Sequence, residues 1–142
     1  MLKYLLKAPD STWAATSPAQ AKAENLKIKY LGTEGFIISD QHRTVVLDTF
    51  IRSLNPWQNF RRPLLSDPVL VKQYIPYADD VLIGHAHYDH ILDAPELCKQ
   101  TGARLVGSQA TLMYGRSAGL SEQQMLETKG WEAIQCGKWQ VV

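Results

Sequence analysis

Three of the four histidines in this chain lie within six residues of one another, and an aspartate separates the second from the third. The residues are His85, His87, Asp89 and His90, and they follow the apolar run 81–83, which predicts a buried strand. Imidazole and carboxylate groups are good ligands for zinc, iron and manganese. The spacing therefore predicts a metal site, and the alternative is a histidine-rich loop with no tight site.

The order of the four side chains divides them into two ligand sets. In an extended strand end, residues two apart point to the same side, so His85 and His87 share a side and Asp89 continues that period. His90 must then point elsewhere, unless the chain bends. One metal would take His85 with His87, and a neighbouring metal would take Asp89 with His90. Two metals about 3.5–4 Å apart can lower the pKa of a shared water to about 7, which provides a hydroxide nucleophile.

Composition, net charge and the lengths of apolar segments argue against several classes of protein. The chain has 142 residues, 45% of them hydrophobic, which suits one domain with a real core. A net charge of +1 argues against a phosphate-backbone partner, so a small-molecule substrate is favoured over nucleic acid. No segment has the length of a transmembrane helix, and the apolar start is too short for a secretory signal. A cytoplasmic location is the expectation.

The two cysteines, Cys98 and Cys136, are far apart and form no metal-binding CxxC pair. This spacing predicts two free, buried thiols in a reducing compartment, and a disulfide has no positive support.

The elements that position the histidines follow from hydrophobic periodicity and capping signals. Residues 1–25 predict an extended or flexible arm, and residues 26–142 a single domain. Strands are predicted at 26–30, 36–38, 44–48, 81–83, 104–108, 131–136 and 138–142, and helices at 68–75, 94–101 and 111–118. Ser121 to Gln124 resembles a capping box, which favours a further helix start.

This order of elements predicts a mixed α/β sheet. Three consecutive strands with short polar connections pair antiparallel. Strand, helix and strand in succession imply a parallel pair. The predicted fold class is therefore α/β, with helices on one face of a mixed sheet. The last predicted strand reaches Val142 without a cap, which favours a truncated domain.

The run from His85 to His90, HAHYDH, resembles the signature of the metallo-β-lactamase superfamily. Residues 31–38 look like the opening hairpin of that fold, and residues 46–48 resemble the strand that ends in the family's aspartate. Residues 79–95 look like the branch that includes L-ascorbate-phosphate lactonase and N-acyl-phosphatidylethanolamine phospholipase D. The resemblance covers residues 26–142.

The resemblance implies a metal-dependent hydrolase that uses a metal-bound hydroxide on a lactone, ester or phosphodiester. His85 and His87 would bind the first metal, while Asp89 and His90 would bind the second. Asp89 would also accept or deliver a proton, and Asp48 would orient the ligand loop from outside the ligand set. The implied cofactor is two divalent metals, zinc first and manganese or iron as alternatives.

The chain departs from the family pattern at three points. Thr33 stands where the family commonly has a histidine, and Gly84 stands where a threonine is frequent. The chain also resembles only the first of two αββα halves, so the remaining ligands have no counterpart here. The alternative functions are a catalytically incomplete fragment or a non-catalytic metal-binding module that pairs with another half. Self-association through an exposed half-sandwich face follows from the same expectation.

A substrate lip is a further hypothesis. Trp57, Arg61 and Arg62 lie in a patternless loop, where they would attract a phosphate or carboxylate, and Tyr88 lies inside the motif. The alternatives are a solvated loop for the first three residues and core packing for Tyr88. The remaining histidine, His42, falls in a predicted polar turn and is expected to be exposed.

Overall fold

The computed structural model describes residues 26–51 and 63–142. The predicted arm over residues 1–25 lies outside the described residues. So do Trp57, Arg61 and Arg62 of the predicted substrate lip.

Eight strands and four α-helices make up the described part of the chain. The strands are β1 (Lys27–Gly32), β2 (Gly35–Ser39), β3 (Thr44–Leu47), β4 (Asp80–Leu82), β5 (Arg104–Gly107), β6 (Met125–Glu127), β7 (Ile134–Cys136) and β8 (Trp139–Val141). The helices are α1 (Pro68–Tyr74), α2 (Tyr88–Ile91), α3 (Ala94–Thr101) and α4 (Gln109–Ser117), and a 3₁₀ turn spans Glu122–Gln124. None of the helices described is long and apolar enough to cross a membrane.

Six strands form one sheet in sequential order, β1 to β6. The pairs β1–β2 and β2–β3 are antiparallel, whereas β3–β4, β4–β5 and β5–β6 are parallel. The mixed sheet predicted from the sequence is therefore confirmed. Strands β7 and β8 form a separate antiparallel hairpin.

The helix boundaries follow from local capping chemistry. The Asp67 carboxylate accepts hydrogen bonds from the backbone N–H groups of Val69 and Leu70, with Pro68 in the first turn of α1. Gly102 ends α3 with a left-handed backbone, at φ 75°. Both ends agree with the sequence prediction.

Two elements were not predicted from the sequence. The capping-box pattern at Ser121 is followed by a single 3₁₀ turn and then by β6, a strand that the sequence did not indicate. The Ser121 side chain makes no capping hydrogen bond, so the contact that would stabilise a helix start at this position is absent. Helix α2 is the other unpredicted element, and it lies inside the histidine motif.

The two faces of the sheet are covered by different elements. On one face, Val46, Val81 and Leu105 are buried against α1, α2, α3 and the end of α4. On the other face, Val45, Leu82 and Val106 are buried beneath the hairpin. The hairpin contributes one buried residue, Cys136, and three partly buried ones: Ile134, Trp139 and Val141. The helices therefore lie on one face, as predicted. The predicted exposed half-sandwich face needs correction, because the hairpin covers its centre.

A buried carboxylate ties the hairpin to the sheet. Asp80 is fully buried and accepts hydrogen bonds from Arg43 (2.6 and 2.8 Å) and Arg104 (2.9 Å). Arg104 also donates to the backbone oxygen of Gln135 at 2.8 Å. Cys136 is buried next to this group, and it and Cys98 are free thiols, as the sequence predicted.

Candidate metal centre

The histidine motif lies at the carboxyl ends of two adjacent parallel strands. Asp48 follows β3 directly, and the motif follows β4. The register of these strands pairs Leu47 with Leu82, and the Asp48 N–H donates to the Leu82 carbonyl oxygen at 3.0 Å. Parallel pairing therefore brings the two chain segments together at one edge of the sheet.

Asp48 contacts both ends of the motif. Its Oδ1 accepts a hydrogen bond from the Gly84 N–H at 2.9 Å, and its Oδ2 lies 3.2 Å from His90 Nδ1. Its backbone is left-handed, at φ 44°, which is uncommon for a residue other than glycine. Asp48 is predicted to orient the histidine motif without binding metal, and contacts with both ends of the motif fit that prediction.

The three histidine rings of the motif cluster. His85 Nε2 and His87 Nδ1 face each other at 3.1 Å, and the rings of His85 and His90 have centroids 3.8 Å apart. Two imidazole nitrogens on one tetrahedral zinc, each bonded at about 2.0–2.1 Å, are separated by about 3.3 Å. His85 and His87 therefore have a spacing that suits a shared metal.

His90 is the buried member of the cluster, with 3% of its surface exposed. Its Nε2 lies 3.6 Å from Glu34 Oε2 and 3.9 Å from Asp89 Oδ2. Its Nδ1 is close to Asp48 but makes no hydrogen bond, one of two such buried side-chain atoms in the part of the chain that the structure describes. A buried imidazole with one nitrogen unpartnered and the other facing carboxylates fits a divalent cation.

The backbone corrects one step of the sequence argument. Asp89 does not continue an extended period, because α2 begins at Tyr88 and the His87 carbonyl accepts from the His90 and Ile91 N–H groups at 3.0 Å. The chain thus bends within the motif. The bend turns His90 inward beside His85, whereas an extended chain would have separated them.

Two residues near the site carried no functional prediction. Glu34, in the β1–β2 turn, reaches His90 from a different part of the chain. Asp93 is buried, and its carboxylate accepts hydrogen bonds from the Ile51 N–H (3.2 Å) and the Ser66 hydroxyl (2.6 Å). Periodicity gives no signal for either contact, because each joins residues 27 to 56 positions apart.

The remaining predicted residues occupy separate places. Tyr88 is 50% exposed and packs edge-on against Phe50, with ring centroids 6.2 Å apart. It is therefore half packed and half available to a ligand. His42 is exposed, as predicted, in a turn where its N–H donates to Asp40.

A pocket of about 270 Å³ adjoins the site on the hairpin face of the sheet. Asp48 and Gly84 form the side of the pocket next to the histidine motif. Its other walls are largely apolar: Leu47, Leu82, Ile83, Val106, Thr128 and Ile134. A concave, mostly apolar pocket beside convergent polar groups is the usual form of a small-molecule site.

This arrangement agrees with known proteins. Residues 78–135 match the sequence model of the metallo-beta-lactamase superfamily. A metallo hydrolase of the archaeon Ignicoccus hospitalis has the same fold over 78% of this chain and 42% of its own, with a TM-score of 0.54 and 24% sequence identity. Residues 78–135 therefore match the superfamily that the motif predicted.

The names of curated relatives give a class of reaction but no substrate. A UPF0173 metal-dependent hydrolase of Methanopyrus kandleri is 32% identical over 120 residues, which cover 80% of this chain and 47% of the relative. Its counterpart from Methylacidiphilum infernorum is 31% identical over 113 residues, covering 80% and 45%. This chain thus spans about half the length of these relatives. The lactonase and phospholipase D branch stays a prediction.

Proposed function

We propose that this chain provides the first part of the active site of a metal-dependent hydrolase that cleaves a lactone, ester or phosphodiester. His85 and His87 would hold one divalent metal, and Asp89 and His90 a second. Zinc is the expected metal, with manganese or iron as alternatives. The match to the superfamily model and the names of the relatives support this class of reaction.

The single observation that carries the proposal is the convergence of three histidine rings beside Asp48. A bound divalent metal would supply the positive charge that lowers the pKa of a water to about 7. The chain itself would hold the ligands, since Asp48 contacts Gly84 before the motif and His90 at its end. Asp89 is half-buried and adjacent, where a carboxylate can accept or deliver a proton.

The substrate would lie in the adjoining pocket. Its small volume and apolar walls favour a compact organic molecule over a polymer. Tyr88, with its exposed ring, remains a proposed substrate contact, and Trp57, Arg61 and Arg62 remain the proposed lip. A cytoplasmic location also remains a prediction.

Metal content and hydrolysis together test the proposal. Protein expressed with added zinc or manganese is assayed by elemental analysis and against a panel of lactones, carboxyl esters and phosphodiesters. His87→Ala should lower metal content and reduce any hydrolysis by at least about 100-fold, since it removes one of few ligands.

His42→Ala is the matched control, because His42 is an exposed histidine on the β2–β3 turn. It should leave metal content and rate unchanged. Metal-free protein after supplemented expression, or equal effects of the two substitutions, would contradict the proposal.

A second candidate is a catalytically incomplete or purely metal-binding module. The observation that favours it concerns ligand number. Within residues 26–51 and 63–142, the group of three ligand side chains that lie within 4.8 Å of one another is Glu34, Asp48 and His90. It includes neither His85 nor His87, so their metal would need a ligand from elsewhere. Metal binding with no hydrolysis by the 142-residue chain would favour this candidate.

Self-association is the corresponding partner proposal. The face of β1 and β2 beyond the hairpin exposes Ile28 (64%), Tyr30 (60%) and Phe36 (37%). Apolar residues that adjoin one another on an open sheet surface favour contact with a second apolar surface. A second copy of the chain is the proposed occupant.

A further inference from the structure

Glu34 occupies an unusual position for an exposed acid. It is the last residue of the two-residue turn between β1 and β2, and its carboxylate faces the one buried histidine of the motif. We propose that Glu34 is a further ligand of the second metal, beside His90. This inference rests on the proposed function, and it concerns the second metal position only.

The turn that carries Glu34 is held in place by specific contacts. Thr33 has a left-handed backbone, at φ 50°, and its carbonyl oxygen accepts a hydrogen bond from the Tyr30 hydroxyl at 2.8 Å. The register pairs Gly32 with Gly35 across the turn. The direction in which the turn presents residue 34 is therefore fixed by its neighbours.

A glycine brings this turn against the site. A Cβ atom on Gly35 would meet the Asp48 carbonyl oxygen at 2.5 Å, closer than real Cβ contacts allow. Only glycine therefore permits the turn to pack directly on the residue that contacts His90. The close approach places the Glu34 carboxylate within reach of the motif from a strand far away in sequence.

The distances define where the cation would lie. Glu34 Oε2 is 3.6 Å and Asp89 Oδ2 is 3.9 Å from the same atom, His90 Nε2. Ligand atoms on one metal, bonded at about 2.0–2.2 Å, are commonly about 3 Å apart, so a small movement would bring Glu34 and His90 onto one ion. Asp48 lies on the other nitrogen of His90, which leaves Nε2 free for the metal.

His90 supplies an observation independent of the acidic groups. It is buried, and its Nδ1 has no hydrogen-bond partner. Its Nδ1 lies 3.2 Å from Asp48 Oδ2, so Asp48 faces one nitrogen of the ring and Glu34 faces the other. A metal held by Glu34 would bind Nε2 and leave the proton on Nδ1, beside Asp48.

The test is a Co²⁺ titration of the metal-free 142-residue chain, followed by visible absorption. Glu34→Gln keeps the size of the side chain and removes its charge. It should weaken Co²⁺ binding at least about tenfold, the smallest loss expected even for a residue that only supports a ligand. It should also shift the Co²⁺ absorption bands, because these report the ligand set. Glu34→Ala should behave in the same way.

Glu127→Gln is the matched control, since Glu127 is exposed on β6, at the opposite edge of the sheet. It should change neither affinity nor spectrum. Wild-type affinity and bands in Glu34→Gln would overturn the ligand role while leaving the proposed hydrolase intact. A wild-type chain that binds no Co²⁺ would contradict both. Circular dichroism of each metal-free variant establishes that the fold is retained.

Discussion

Backbone strain at single residues is concentrated at the candidate site. Three non-glycine residues in the described ranges have a positive φ. Two of them lie at the site: Thr33 precedes Glu34, whose carboxylate faces His90, and Asp48 contacts His90 directly. Such conformations persist only where surrounding contacts impose them. A left-handed backbone at Thr33 or Asp48 depends on contacts with distant segments, so the sequence could suggest candidate ligands but not the geometry that gathers them.

The buried thiol of Cys98 gives a prediction for a single residue. Burial raises the pKa of its thiol from 9.0 to about 12. Between these two pKa values the unfolded chain loses the proton that the folded chain keeps, so stability falls as the pH rises above 9. From pH 8 to pH 10, this single group should remove about 1 kcal/mol from the free energy of unfolding.

Urea denaturation of the wild type and of Cys98→Ala at the two pH values measures the effect. The variant is less stable overall because it leaves a small cavity. It should nevertheless lose about 1 kcal/mol less than the wild type between pH 8 and pH 10. Parallel pH profiles for the two proteins would show that the buried thiol is not the cause.

Helix ends were predicted correctly where they depend on neighbouring residues alone. Asp67 with Pro68 and Gly102 are sufficient to place two helix ends, because capping depends on neighbouring residues. Strand β6 is different. It has three residues, and it is a strand because Leu105 and Val106 pair with Met125 and Leu126. Pairing partners some 20 residues away leave no periodic signal in so short a segment.

The β7–β8 hairpin depends on the Asp80 cluster. Asp80→Ala would leave Arg43 and Arg104 without their shared carboxylate at a buried contact. We expect a loss of about 2–3 kcal/mol in the free energy of unfolding, below the range for fully buried pairs because both arginines are partly exposed. The hairpin should also loosen, which a faster reaction of Cys136 with a thiol reagent would reveal.

Glu122→Ala provides the comparison for this experiment. It breaks a second paired arginine, Arg116, whose hydrogen bonds to Glu122 are 2.6 and 2.9 Å long but exposed. Exposed ion pairs contribute up to about 1 kcal/mol, so this variant should remain close to wild type. Equal losses in the two variants, or an unchanged Cys136, would show that the buried cluster does not hold the hairpin.

In the whole molecule, one face of the sheet forms the core and one edge of the sheet forms the candidate site. The helix face of the sheet forms the larger core, and its carboxyl edge gathers the proposed ligands and Asp48 from β3, β4 and the β1–β2 turn. Within residues 26–51 and 63–142, the hairpin is the element that covers the other face, over its centre. The sequence predicted the mixed sheet and one helix layer, but it could not show that the hairpin folds back over the centre, since this depends on contacts between distant segments.

The uncovered part of that face carries the last prediction. Ile28→Lys places a charge on the exposed strand β1, where it would oppose apolar association but should barely alter the folded monomer. If copies of the chain pair through this face, sedimentation velocity should show a weaker dimer than in the wild type. Val69→Lys is the control, because Val69 is 74% exposed on α1, on the helix face. A wild type that stays monomeric, or equal weakening by both substitutions, would rule out pairing through this surface.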